Sequence, residues 1–277
     1  MALGGRSRPH RQLRVATWNI NSLRLRRERL TALIDALAPD ILCLQETKVP
    51  DELFPDRLPA EVGLPHFARR GMKSYNGVAI LSRIPFEPVA DSPDWCGKGD
   101  CRHLAVRLDL PGGPVVLHNF YVPAGGDIPD PDQNPKFAHK LAFVGEVRRH
   151  FSETGSPSRA IVVGDLNIAP LENDVWSHRQ LLDVVSHTKV ETEALNAWRE
   201  TGFTDAVRHF VPANEKLFTW WSYRNRDWRL SDRGRRLDHI WVSDDLTGTL
   251  ERQTVLRDAR DWELASDHVP VCVEMRV

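Results

Sequence analysis

Residues 161–170 read IVVGDLNIAP. An apolar run, Ile161 to Val163, stops at a carboxylate, Asp165, and a carboxamide, Asn167, follows two residues on. In extended backbone, positions i and i+2 face the same side. Asp165 and Asn167 would therefore look at one spot just past the end of a strand, and polar groups held there need partners. The pattern recurs along the chain. Asn19 and Asn21 close TWNIN, and Glu46 closes an apolar run in ILCLQETK. Asn119 and Tyr121 lie near the end of VVLHNFYVP, Asp238 is embedded in RRLDHIW, and Asp267 and His268 stand just before VPVCVEMRV. Taken singly, each has an ordinary explanation: an Asp beside Gly or Asn usually serves a turn. The set says more, because strand ends are where sheet scaffolds collect reactive groups. Carboxylates and carboxamides are hard oxygen donors, suited to Mg²⁺ or Mn²⁺ held together with a substrate phosphate.

Other chemistries fit poorly. Ser266, Asp267 and His268 are neighbours in sequence and cannot fold back on one another as a nucleophilic triad. There is no G-x-S-x-G elbow, and no Walker A loop, G-x-G-x-x-G or H-E-x-x-H. Of the four cysteines, Cys43 and Cys272 lie in apolar runs and read as buried thiols. Cys96 and Cys101 with His103 loosely suggest zinc, but the spacing matches no standard finger and a fourth ligand is missing.

The elements that must position these groups follow from the apolar pattern. LRVATWNI, DILCLQE, NGVAILS, HLAVRLDL, PVVLHNFYV and residues 160–167 read as strands, the fourth and fifth joined by a Pro-Gly-Gly-Pro turn. KLFTWW, RLDHIWVS and VPVCVEMRV are three late strands. Residues 22–38 form an amphipathic helix with Ser22 as N-cap and Pro39 as its stop; 136–151 and 191–202 are two more. Strands mixed with a few helices, out of strict alternation, predict two packed sheets with helices outside. Residues 1–12 are expected to be a flexible tail and 13–277 a single domain. The chain has 277 residues and a net charge of −1, so overall charge announces no nucleic-acid partner. Local charge does: residues 224–236 carry six Arg against two Asp. No stretch of about 18 apolar residues is present for a membrane span. The basic start lacks the apolar core of a signal peptide, which makes a reducing cytoplasm the expected compartment.

WNIN, LQETK, YVP, GDLNIAP, LDHIW and SDHVP, in this order and spacing, resemble the exonuclease III family of abasic-site endonucleases, within the endonuclease/exonuclease/phosphatase superfamily. The resemblance runs from about Leu13 to Val277. It implies a four-layered, deoxyribonuclease I-like α/β sandwich, two mixed sheets flanked by helices. It implies Mg²⁺, with Mn²⁺ able to substitute, held by Glu46 with Asn19 and Asp267 close by. Asp165 would orient and deprotonate the attacking water. Asn167 would hold a phosphate oxygen or help fix that geometry. His268 would contact the scissile phosphate with Asp238 orienting its imidazole, and Tyr121 would hydrogen-bond the phosphate or assist the leaving group. The expected activity is hydrolysis 5′ to abasic sites in double-stranded DNA, with 3′→5′ exonuclease and cleaning of blocked 3′ ends, by a monomer.

Trp220, Arg224 and Trp228 are expected DNA contacts, because arginine with aromatics is a nucleic-acid combination; Lys48 directly follows Glu46, within reach of a neighbouring phosphate, and Arg102 resembles a family position that touches the DNA backbone. Trp221 is expected in the core. The loop AGGDIPDPDQNPKF is longer and more acidic than in short family members, which turns it away from DNA or restricts the substrate. Two alternatives stand beside this reading: a related phosphodiesterase acting on lipid or inositol phosphates, and a DNA-binding protein without catalysis.

Overall fold

The computed structural model describes residues 12–90, 93–225 and 227–277; the expected tail lies outside them except for Gln12. The strands in chain order are β1 (Gln12–Asn19), β2 (Ile41–Gln45), β3 (His66–Arg70), β4 (Val78–Ser82), β5 (Glu87–Pro88), β6 (His103–Leu110), β7 (Gly113–Tyr121), β8 (Ala160–Asp165), β9 (Phe203–Asp205), β10 (Trp220–Trp221), β11 (Gly234–Arg235), β12 (Asp238–Ser243), β13 (Leu250–Val255) and β14 (Val271–Arg276). The helices are α1 (Leu23–Leu37), α2 (Leu58–Glu61), α3 (Pro135–Glu153), α4 (His178–Leu181), α5 (Lys189–Arg199) and α6 (Trp228–Ser231). One sheet runs β13-β14-β1-β2-β4-β3 and the other β5-β6-β7-β8-β12-β9. Each contains a single parallel pair at its centre, β1 with β2 and β7 with β8.

The alternation along these strands makes the four layers. Inward residues of both sheets, such as Val15, Cys43, Ile80, Leu117, Val163, Ile240 and Val273, share one core. Their neighbours point outward. Trp18, Leu42, Leu44 and Leu81 take the apolar face of α1, with Leu23, Leu30, Leu33 and Leu37. Phe120, Val162 and Trp241 meet Phe143, Val144, Val147 and Phe151 of α3 and Leu195 and Trp198 of α5. The expected sandwich is the observed one.

Local departures have local causes. Ser22 precedes α1 but makes no side-chain cap, and its φ is 89°. Its N–H instead donates to the Glu46 carbonyl at 2.8 Å, and Leu23 N–H to that of Thr47 at 3.0 Å, so the helix start is docked onto the end of β2. Helix α3 begins at Pro135 because Asn134 caps it, accepting from Lys136 N–H. Helix α5 begins two residues earlier than expected, at Lys189, because Thr188 and Glu191 form a capping box. KLFTWW contributes only Trp220 and Trp221 to a strand, paired with the short β11.

Gly164 is required where it stands. Its φ is 139°, and a Cβ there would sit 1.9 Å from the Phe120 carbonyl oxygen. The close approach lets β8 run beside β7 until Tyr121 and Asp165 are side by side.

Candidate active site

Register brings the reactive groups together. Asp165 is aligned with Tyr121 on one side and with Asp238 on the other. In the facing sheet Asn19 ends β1 opposite Gln45 of β2, one residue before Glu46. His268 is bridged to Trp220 ahead of β14. The chain then turns sharply: Asn21, Glu46, Lys48 and Asn167 all have φ near +50° (47°, 51°, 52° and 53°). Non-glycine residues seldom take this left-handed conformation, and it clusters where function demands it. Asp165 and Asn167 therefore meet through a turn, not through the extended i, i+2 geometry expected from sequence.

Asn19 joins the two sheets' acids. Its Nδ2 donates to Glu46 Oε1 and to Asp165 Oδ2, both at 2.8 Å. Asp165 also receives Asn167 N–H on Oδ1 at 3.0 Å and Asn167 Nδ2 on Oδ2 at 3.1 Å. The other Asn167 amide proton goes to the Val122 carbonyl at 2.9 Å. With both protons engaged, Asn167 fixes Asp165 and has no donor left for a phosphate oxygen. Tyr121 Oη donates to Glu46 Oε1 at 2.9 Å. Lys48 Nζ lies 2.8 Å from Glu46 Oε2 and donates to Asn21 Oδ1 at 2.7 Å. Asp267 accepts from Asn21 Nδ2 at 3.0 Å and from Trp220 Nε1 at 2.9 Å. His268 Nδ1 is 2.8 Å from Asp238 Oδ2, and Nε2 faces Asp165 Oδ2 at 3.6 Å.

Burial sets the charges. It raises the Asp165 carboxyl, with Asp238 and Glu46 adding and His268 and Asn19 opposing, to about 7. Burial alone would lower His268, but the carboxylates of Asp238 and Asp165 reverse this and lift the imidazole to about 10. Burial also raises Glu46, yet hydrogen bonds from Asn19 and Lys48 prevail and hold it below the ordinary carboxylate value. Asp267 is likewise lowered on balance, by His268, Asn21 and Trp220. Burial and the neighbouring Glu46 and Asp165 keep the Tyr121 phenol well above 10, hence protonated.

A divalent cation can be tested against this donor set. Asp165, Asp238 and His268 lie close enough together to hold an ion, but an imidazolium has no lone pair to give. Glu46 and Asp267 are ionised and keep oxygen lone pairs, and Asn19, bonded to Glu46 through Nδ2, accepts the Asn21 N–H on Oδ1; such oxygens are the hard donors that Mg²⁺ takes. Cys96, Cys101 and His103 are not among the metal-holding groups of the described residues.

The expected DNA contacts divide. Trp220 is half-buried under the Arg235 guanidinium, 5.4 Å from its ring. With Trp176, Arg224, Arg233 and Arg235 it lines a cavity of about 510 Å³. Arg102 stacks 4.8 Å over the Tyr121 ring, bracing it, and pairs with Asp100. Lys48 is tied into the acid cluster. Trp228 departs from the expectation. It is 7% exposed, packs with Trp221 and donates Nε1 to Asp261 at 2.7 Å, so its ring belongs to a small core. Trp221 is buried as expected. Much of the arginine run is structural too: Arg229 pairs with Asp258 and Asp261, and Arg236 with Asp174 and Asp205.

Sequence reasoning missed Thr219. Its Oγ1 donates to Asp238 Oδ2 at 2.6 Å and accepts the N–H groups of Leu237 and Asp238, fixing the carboxylate that orients His268. It missed Ser266, whose Oγ donates to the Asn19 carbonyl at 2.7 Å. Asn119, grouped with the strand-end polar residues, is a buried bracket between sheets: it accepts from Gln45 Nε2 and donates to the Leu44 and Ala79 carbonyls.

Comparison with known proteins agrees with this geometry. The chain is 28% identical over 274 residues to exodeoxyribonuclease III of Haemophilus influenzae, covering 95% of this chain and 100% of that protein. Its fold superposes on an AP endonuclease from Archaeoglobus fulgidus with a TM-score of 0.86 and 31% identity, over 96% and 100% of the two chains. A 3′–5′ exonuclease from Neisseria meningitidis gives a TM-score of 0.84 and 29% identity, over 95% and 99%. Residues 16–268 match the family model described as the endonuclease/exonuclease/phosphatase family, to which this chain belongs.

Proposed function

We propose that the chain is a Mg²⁺-dependent DNA repair nuclease that hydrolyses the phosphodiester 5′ to abasic sites and also removes nucleotides or blocking groups from 3′ ends. The observation that carries it is the line of groups Glu46–Asn19–Asp165–His268–Asp238, in which a base and a cationic donor share one buried spot. Hydrolysis of a phosphodiester needs a water aligned opposite the leaving oxygen and positive charge on the non-bridging oxygens. Asp165, with a pKa near neutral, is suited to take a proton from that water. Its orientation is set by the N–H groups of Asn19 and Asn167. His268, held as imidazolium by Asp238, donates to a phosphate oxygen. Tyr121 keeps its proton and can give a hydrogen bond to the phosphate or the departing oxygen. Glu46, Asp267 and Asn19 would hold the cation, whose part is to neutralise phosphate charge.

DNA as the substrate is supported by the names of the relatives and by the basic, aromatic wall of Trp220, Arg224, Arg233 and Arg235 beside Asp267. Cys43, Cys96 and Cys101 form no disulfide, which suits the reducing cytoplasm, and we take the working unit to be a monomer. Among the described residues no helix is long and apolar enough to cross a membrane.

The test is a labelled duplex with one synthetic abasic site, incubated with Mg²⁺ or EDTA. A single Mg²⁺-dependent cut 5′ to the lesion, lost in Asp165→Asn, is the expected result. A folded protein that leaves the duplex whole at every Mg²⁺ and Mn²⁺ concentration sinks the repair reading.

A further inference from the structure

We propose that Lys140, with Glu191 as its counter-ion, is a positioning residue for the catalytic turn 166–169. The inference rests on the nuclease reading of the site only for the meaning of its kinetic effect. Both side chains are wholly buried, and Lys140 Nζ lies 2.5 Å from Glu191 Oε1. The ammonium also donates to the Asn167 carbonyl at 2.8 Å and the Ala124 carbonyl at 3.2 Å. Its protons are thus matched by three acceptors from three segments of chain. Glu191 is equally engaged: it accepts from Ser186 N–H, from Thr188 N–H and, at 2.6 Å, from Thr188 Oγ1.

A buried ion pair seldom stabilises a fold more than an apolar pair of equal volume. The positions of the acceptors show what else this one does. Ala124 follows the strand that ends in Tyr121, and Asn167 follows the strand that ends in Asp165. Asn167 is held left-handed, at φ 53°, and in that conformation its N–H and Nδ2 both reach Asp165. The next two carbonyls are held in the same manner. That of Ile168 pairs with His239 Nε2 at 2.9 Å and that of Ala169 with His187 Nδ1 at 2.6 Å. Lys140 takes the first and most strained carbonyl of the three. Without it Asn167 relaxes, and Asp165 loses two of the three N–H groups that aim it. The loss falls on the aim of a base toward water, and so on kcat, while contacts that bind DNA stay as they were.

The test uses the full chain with Lys140→Met/Glu191→Gln, which removes both charges and leaves neither buried alone. The expected result is a cooperative melt close to wild type, kcat down roughly tenfold to a hundredfold, and KM within about threefold. Backbone hydrogen exchange should quicken across 165–170 and stay slow across 160–163. Wild-type kcat and wild-type exchange in the folded double variant overturn the proposal. If the double variant does not fold, Lys140→Met alone decides, since it removes the donor to Asn167 while Glu191 keeps its hydrogen bonds from Ser186 and Thr188. Lowered kcat at constant KM with faster exchange at 165–170 upholds the clamp, and no change in either refutes it. Wild type is assayed alongside: should it cut no DNA, the nuclease reading falls, and the exchange measurement still decides the clamp.

Discussion

Two buried charge networks adjoin β12 and behave oppositely. Around β9 and β12, Arg236 binds both Asp174 and Asp205, and Arg208 closes on Asp174 at 2.5 Å. Two guanidinium groups answer two carboxylates, and the network is closed. Where β12 begins at Asp238, the carboxylates of Glu46, Asp165 and Asp238 have ion pairs, among the described residues, with His268 and Lys48, and Asp267 beside them accepts from Asn21 and Trp220. That network is short of positive charge and retains lone pairs. Burial alone therefore does not mark function. A buried set of acids left incompletely answered does, because it stays ready for a cation, a water and a phosphate.

The largest effect that separates the two is on turnover. His268→Ala should lower kcat by roughly 10²- to 10⁴-fold in the abasic-duplex assay, while the urea midpoint moves little, since Asp238 keeps its hydrogen bond from Thr219 and Asp165 those from Asn19 and Asn167. A loss of stability equal to that of the arginine variant below would erase the contrast. Arg236→Met should do the reverse. It leaves Asp174 and Asp205 short of a partner, at a cost of about 3–5 kcal/mol, read by urea unfolding, with kcat per folded molecule preserved.

A smaller effect is tied to pH. His239 is fully buried beside the closed network, and burial, reinforced by Arg236, lowers its pKa from 6.5 to about 4. Between those values the unfolded chain binds more protons than the folded one, so stability rises with pH across the window. It is complete above 6.5 and is lost as pH falls through 4, by at most about 3 kcal/mol. His103, buried against Phe120, is depressed in the same direction. Unfolding midpoints measured at pH 7, 5.5 and 4.5 should show the slope, and His239→Gln should flatten it. The smallest effect separates outer from inner arginines: Arg224→Ala should weaken DNA binding only several-fold and reduce the salt slope by about 1, as seen in a titration against KCl.

The sandwich and most of the strand-end polar groups that the fold gathers into one cluster were legible because both are written locally. Apolar runs that stop at Asp165, Glu46 or Asn19 declare strand and site together. Thr219, Ser266, Lys140 and Glu191 were not legible, since nothing near them in sequence tells of partners such as Asp238, Asn19 or Asn167. The turn at Asn167 was read as extended because spacing carries no sign of φ. Trp228 was assigned to DNA for its arginine neighbours, yet Arg229 and Arg257 lie 4.8 and 5.3 Å from its ring and Asp261 takes its N–H. Cation and indole were satisfying each other within the protein.

The first strand pairs with the last: β1 lies against β14, and Trp18 Nε1 donates to the His268 carbonyl at 3.1 Å. A chain emerging from the ribosome thus makes Asn19 early and must wait for nearly every other residue before His268 can join it. Such distant pairing is slow to close. On the mechanism proposed above, a polypeptide broken off before residue 266 would carry Glu46 and Asp165 without the imidazolium of His268, and it should leave DNA uncut.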